Sequence, residues 1–179
     1  FMPNDQPPEV GQLIKQPELA KTLEIIASNG HDGFYKSFFT QKMIDEARQD
    51  GSIWLADDFK NYSVVEREPI KVNFLGAQLT TAPPPSSGGT TIATILNIIS
   101  EFDFIEMDIS TRTHLVVESM RRAYRDRAFF LGDPDFVDVP IKKLTSKEHA
   151  SILAQSIDMN AATPIHEDDQ LDEKYAWNE

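Results

Sequence analysis

No cysteine occurs among the 179 residues. Its absence excludes disulfides, thiolate nucleophiles and cysteine-based zinc sites. It leaves the cellular compartment open. Basic residues are scarce: 17 Lys and Arg stand against 29 Asp and Glu, a formal net charge of −12. A nucleic-acid-binding face needs Lys and Arg to displace counterions from phosphate, so no nucleic acid is expected as a partner. The same shortage argues against docking on an anionic membrane surface. No apolar run approaches the ~20 residues that cross a bilayer, and no membrane insertion is expected in this segment. Glycine is also sparse, at 8 residues, which makes the adjacent pair Gly88-Gly89 stand out. No leader pattern is visible, and the opening Phe1-Met2-Pro3 reads as a cut in a loop.

What is present is ordinary for a soluble domain: 40% hydrophobic and 26% charged residues. A chain of this size buries roughly 70% of its unfolded surface. Residues 1–16 are rich in proline and polar residues and read as loop. Much of the acidic excess lies in a tail over 161–179, at Glu167, Asp168, Asp169, Asp172 and Glu173, which reads as solvated and mobile.

Between them the pattern is mostly helical. Pro17 suits a first helical turn, Leu19, Leu23, Ile26 and Ala27 make an apolar stripe, and Gly30 is a stop signal. A second helix carries Met43, Ile44 and Ala47 inward and ends at Gly51, and Asp57 to Tyr62 reads as a helical turn. The alternation from Ser63 to Glu68 predicts a strand, and Lys71–Phe74 with Gln78–Thr81 predict a hairpin around Gly76. Ile92, Ile95, Leu96 and Ile99 mark a helix. A long helix runs from about Ser110 to Phe130, and a last one from Ser146 to Ile157. The expected class is α+β, mostly helical.

Two places hold candidate functional residues. Pro83, Pro84, Pro85, Ser86, Ser87, Gly88 and Gly89 form the strongest punctuation in the chain. No Lys follows the glycines, so this is not a P-loop. The expected role is a rigid strand exit, a Ser N-cap and glycines for close packing; backbone N–H groups binding an anion are the alternative. The long helix carries His114-x-x-x-Glu118, a weak two-ligand pattern without a third ligand, so no metal is assigned. Glu118 with Arg122, and Arg122 with Asp126, read as helix-surface pairs worth a few tenths of a kcal/mol. Val116, Met120, Ala123, Tyr124 and Leu131 form the stripe on which Arg127 falls, and Asp133 or Asp135 is its expected carboxylate partner. His31, His149 and His166 are expected at the surface, and neither Trp54 nor Trp177 is assigned a function. There is no nucleophile–base–orienter set, and no catalytic residue, substrate-binding residue or cofactor is assigned.

Two stretches resemble gamma-glutamyltranspeptidases. One is Thr80-Thr81-Ala82-Pro83-Pro84-Pro85-Ser86-Ser87-Gly88-Gly89, followed by Ile95-Leu96-Asn97-Ile98. The other is Glu118-Ser119-Met120-Arg121-Arg122-Ala123-Tyr124-Arg125-Asp126-Arg127, running through Leu131-Gly132-Asp133-Pro134-Asp135-Phe136 to Val139-Pro140. Weaker similarity extends from about Gly11 to Asn160. Lys36-Ser37, Ser52 and Leu55-Ala56 depart from the family pattern, and the last should weaken its helical turn by about 1 kcal/mol.

The resemblance implies a precursor that cuts itself before a threonine. That threonine becomes an N-terminal nucleophile with its own amine as base, in an αββα N-terminal-nucleophile hydrolase sandwich of which this chain is a part. Residues 17–160 then belong to the later half of the large subunit, and 161–179 to the tail before the cleavage site. The implied partners are the small subunit of the same precursor and glutathione or another gamma-glutamyl compound. The implied location is periplasmic or extracellular. The implied catalytic groups fall outside the chain, so the chain alone is expected to be inactive. Glutathione hydrolysis, capsular polyglutamate processing and acylase activity stay open. Exposed sheet edges invite pairing, which leaves a homodimer of the fragment open. The reading from another class is a non-catalytic helical module that binds a protein partner.

Overall fold

The computed structural model describes residue 2 and residues 5–164. The acidic tail from Glu167 to Glu173, His166 and Trp177 lie outside the described residues. The chain divides into two compact units, Phe1–Val65 and Glu66–Glu179.

The first unit holds helices α1 (Pro17–Tyr35), α2 (Phe38–Gln49) and α3 (Ala56–Lys60). Pro17 starts α1, and Gly30 breaks it with φ 58° and ψ −136°, a conformation that glycine adopts without a Cβ clash. The turn beyond folds back so closely that a Cβ on Gly33 would lie 2.6 Å from the Ile25 carbonyl oxygen. Packing gathers at this end, where Tyr35 stacks on His31 and Tyr62 and Phe34 meets Phe39 edge-on. The expected apolar stripe of α1 is therefore not a core face: Leu19 and Leu23 remain 48% and 55% exposed. Helix α2 buries Ile44 between half-buried Met43 and Ala47 as its spacing predicts, and Gly51 ends it at φ 90°. At α3 Leu55 has no capping side chain, but the Asp58 carboxylate accepts the Leu55 N–H at 2.8 Å, so half of a capping box is kept.

The second unit is built around one helix. Strands β1 (Ile70–Phe74) and β2 (Ala77–Thr81) form the predicted antiparallel hairpin, with Phe74 opposite Ala77. Ile70 and Val72 alternate onto one face and pack on Ala93 of helix α4 (Ser87–Ile99). The other side of α4, at Ile98 and Ile99, joins Leu115 of helix α5 (Ile109–Phe130) and Ala150 and Ala154 of helix α7 (Lys147–Gln155) in the main core. A short helix α6 (Ile141–Leu144) precedes α7 and has no counterpart in the sequence reading. Its terminal carbonyls, which no helical N–H can reach, are taken up by α4. Thr94 Oγ1 donates to Leu144 O at 2.9 Å and Asn97 Nδ2 to Thr145 O at 2.9 Å.

Three further expectations change. Ser63 to Pro69 is not a strand. Its β-branched residues Val64 and Val65 are 77% and 52% exposed, and propensity without a paired neighbour does not make a ladder. On α4 the inward residues are Thr90, Ala93, Thr94, Asn97 and Ile98, while Ile92 is 42% exposed. The buried Thr91 and Thr94 hydroxyls bond main-chain oxygens, and a purely apolar pattern misses such a core face. On α5 the buried residues are Leu115, Glu118, Ser119, Arg122 and Ala123. The face is turned by one residue, about 100°, from the predicted stripe, and Met120 and Tyr124 lie outside at 40% and 52%.

Candidate functional site

The turn of α5 leaves a carboxylate and a guanidinium in the interior. Glu118 is 1% exposed and Arg122 9%. Burial of either charge alone would be prohibitive, so each needs full hydrogen bonding. Arg122 Nη1 donates to Glu118 Oε2 at 2.6 Å, across one helical turn. Its Nε donates to Ser156 Oγ at 2.7 Å and its Nη2 to Ser156 O at 2.6 Å. The guanidinium thereby neutralises the C-terminal carbonyls of α7, where a cation also suits the helix dipole.

Glu118 is completed by a segment far along the chain. Thr163 N–H donates to Oε1 at 3.1 Å and Thr163 Oγ1 to Oε2 at 2.5 Å. Arg121 Nη1 adds bonds to Glu118 Oε1 at 3.3 Å and to Thr163 O at 2.6 Å. Burial pushes the Glu118 carboxyl up, but the bonds from Thr163 and Arg122 and the charge of Arg121 outweigh it and hold the group at about 2. The sequence reading placed Glu118 and Arg122 in a surface pair. The signal that could have found them is the spacing 115, 118, 119, 122, 123, an ordinary buried stripe that includes two charges.

One turn earlier, His114 Nε2 donates to Asp158 O at 2.8 Å. His114 and Glu118 are thus engaged with main chain and arginines, and among the described residues no group of three or more His, Asp or Glu side chains is arranged for a metal. Asp126 does not meet Arg122. It accepts from His149 Nε2 at 2.6 Å, with both side chains 13% exposed, so His149 is not the free surface histidine expected but a tie between α5 and α7. His31 sits at the surface beside Asp32.

The proline–serine–glycine run lies at the start of α4. Pro84 is buried, Pro83 half-buried and Pro85 exposed. Ser86 takes the N-cap position without a side-chain capping bond. Gly89 is dictated by packing, since a Cβ there would lie 2.0 Å from Ala82 O. Gly88 faces open space, with Ser86 Oγ at 3.9 Å as its nearest neighbour. The expected pairing of Arg127 with Asp133 or Asp135 is not formed. Arg127 Nε donates to Ser87 Oγ at 2.9 Å and its guanidinium lies over the Tyr124 ring. Asp135 pairs with Arg67 at 2.6 Å, and Asp133 accepts the Asp135 N–H at 3.0 Å. With the helix turned, Arg127 leaves the core face and reaches α4. Arg127 joins Ser87, Gly88, Thr91, Ile92, Ile95, Met120 and Tyr124 around a shallow cleft of about 260 Å³. The cleft holds no nucleophile–base pair. These described residues brace helices and anchor a chain segment, and they contain no self-sufficient reactive centre.

The same arrangement of helices around a hairpin occurs in enzymes of gamma-glutamyl transfer. Helicobacter pylori gamma-glutamyltranspeptidase superimposes with a TM-score of 0.79 and 35% identity, over 86% of this chain and 45% of that one. The Pseudomonas nitroreducens gamma-glutamyltranspeptidase in complex with L-DON gives 0.77 and 38%, over 86% of this chain and 47% of that one. The sequence pattern of the gamma-glutamyltranspeptidase family matches residues 1–179, and the chain belongs to that family. A curated relative, the glutathione hydrolase proenzyme of Escherichia coli K12, is 40% identical over 169 residues, 93% of this chain. The chain spans only 29% of that relative's length.

Proposed function

We propose that this chain is the scaffolding later half of the large subunit of a gamma-glutamyltranspeptidase proenzyme that acts outside the cytoplasm. The observation that supports it is the continuous family match over the chain together with its 29% share of a proenzyme's length. Helix α4 packs on the hairpin β1–β2 with one side and on α5 with the other, an arrangement that supports reading the unit as part of an αββα sandwich. The reactive threonine and the groups that hold a gamma-glutamyl substrate come from the rest of the precursor. The small subunit cut from that precursor is the partner, and glutathione or a related gamma-glutamyl amide is the substrate. In the whole enzyme the N-terminal amine of the threonine takes the hydroxyl proton. The hydroxyl attacks the gamma-carbonyl, the amide C–N bond breaks and the departing amine takes the proton held by the threonine amine; water or an amino acid then attacks the resulting ester, and the threonine hydroxyl is released. The residues of this chain contribute rigidity to that pocket.

The test is to express the full-length precursor and follow it on a denaturing gel while assaying release of an anilide from a gamma-glutamyl anilide. Splitting into two chains, with activity rising in step, is the expected result. A precursor that stays whole and inactive overturns the proposal.

A further inference from the structure

The hairpin β1–β2 covers only part of the helix layer on which it lies. Leu75 and Gly76 at its tip have φ of 48° and 80°, the left-handed pair of a two-residue turn. Phe74 and Ala77 therefore exchange the bonds that close it, and bonding alternates along the strands from there. Gln78 and Thr80 thus direct their N–H and C=O groups away from β1, and among the described residues no group bonds to them. Ile70, Val72, Leu79 and Thr81 share the face turned to α4. Ile70 and Val72 are buried there, whereas Leu79, directly opposite Val72, is 39% exposed. The β1 side is covered, since Ile141 of α6 packs with Ile70, Val72 and Ala93; the β2 side is open. The apolar surface runs on past that open side. Leu96 packs on the hairpin, and Ile92, one turn earlier on the same side of α4, is exposed. Ile92 and Ile95 form one wall of the shallow cleft whose other wall is Met120 and Tyr124 of α5, both exposed. The opposite face of the hairpin is polar and exposed at Lys71, Asn73, Gln78 and Thr80.

An open strand edge with an apolar step beside it narrows the choice of partner. A helix laid on the step would cover Ile92, Met120 and Tyr124 but leave the outward groups of Gln78 and Thr80 buried and unpaired, which is costly. A strand satisfies both: its main chain pairs with Gln78 and Thr80, and its alternate side chains enter the cleft. A two-stranded hairpin is also marginal without further strands or helix packing. We propose that the outer edge of β2 receives a strand from the part of the proenzyme outside this chain. That strand is amphipathic, with apolar residues over Ile92, Met120 and Tyr124 and polar residues in line with Gln78 and Thr80. For the source of the strand the inference rests on the proenzyme reading above, in which the chain spans 29% of a relative's length and most of the protein lies outside it.

The experiment is residue-resolved hydrogen exchange on the full-length precursor, with its state of association followed by sedimentation. The expected result is a monomer in which the Gln78 and Thr80 amides exchange on the order of 100-fold more slowly than in an unstructured peptide. Exchange as fast as in such a peptide overturns the proposal. So does protection that disappears on dilution of a dimer, since a second copy then holds the edge. Two variants separate a paired strand from any other cover. T80P removes the outward N–H and leaves the β1–β2 bonds in place, whereas T80V keeps it. Gln78 exchange should rise roughly 10-fold in T80P and stay at the wild-type rate in T80V; an unchanged rate in T80P overturns the strand. If T80P fails to fold, a benzophenone side chain at position 78 decides. A photo-adduct with the same polypeptide outside positions 1–179 supports the strand, and adducts confined to 1–179 or to a second copy overturn it. A precursor that never splits removes the enzymatic reading while the two amides still decide the strand; a precursor that splits with both amides open removes the strand alone.

Discussion

At the scale of single residues the interior of α5 sets the sharpest expectation. Folding takes the Glu118 carboxyl from its ordinary value of 4.5 to about 2. Between these values the unfolded chain binds a proton that the folded chain does not, so stability rises with pH there. The contribution is complete above about pH 4.5 and is lost as pH falls toward 2. At 1.36 kcal/mol per unit it amounts to roughly 3 kcal/mol. Urea midpoints of wild type should drop across that window, and E118Q, already less stable at neutral pH, should show a shallower drop. Equal slopes would mean that Glu118 is not held as a buried anion. Gly88 and Gly89 supply a second contrast. G89A drives a methyl into the Ala82 carbonyl and should destabilise by about 1–3 kcal/mol. G88A meets open space and should be neutral or stabilise by up to about 1 kcal/mol. Thermal melts of the two variants separate them.

Among the elements, helix starts differ in ways the sequence does not show. The Ser146 hydroxyl accepts the His149 N–H at 3.1 Å and begins α7, so S146A should cost about 1 kcal/mol. Ser86 stands at the equivalent place of α4 without such a bond, and S86A should leave the urea midpoint unchanged. Apart from α6 the helices themselves were legible: the breaks at Gly30 and Gly51 and the hairpin turn at Gly76 lie where turn chemistry and period place them. The inward faces of α4 and α5 were not. Period analysis counts apolar residues, and these faces carry Thr90, Thr94, Asn97, Glu118, Ser119 and Arg122, of which Thr94, Asn97, Glu118 and Arg122 bond to groups up to 50 positions away. For the same reason the site was half visible. The proline–serine–glycine run and the Glu118–Arg127 stretch stood out as motifs, but Thr163 and the His149–Asp126 tie carry no local signal. The strand expected at Ser63–Glu68 had the right propensity and no neighbour to pair with.

On the scale of the whole molecule, the described part has helices and one hairpin but no reactive centre of its own. Because the chain spans only 29% of the length of a glutathione hydrolase proenzyme, under the proposed reading it should by itself release no anilide from a gamma-glutamyl anilide. Turnover by the purified chain, shown free of host enzyme, would refute that. The dependence of one region on another is also visible inside the second unit. Helix α6 is only 4 residues long, far below the length at which a helix persists unaided in water. Its last carbonyls end on Thr94 and Asn97 of α4. The turn that brings the chain round into α7 is therefore braced by two side chains some fifty residues earlier, so removing either donor, as in T94V or N97A, should loosen a bend that the local sequence alone does not hold.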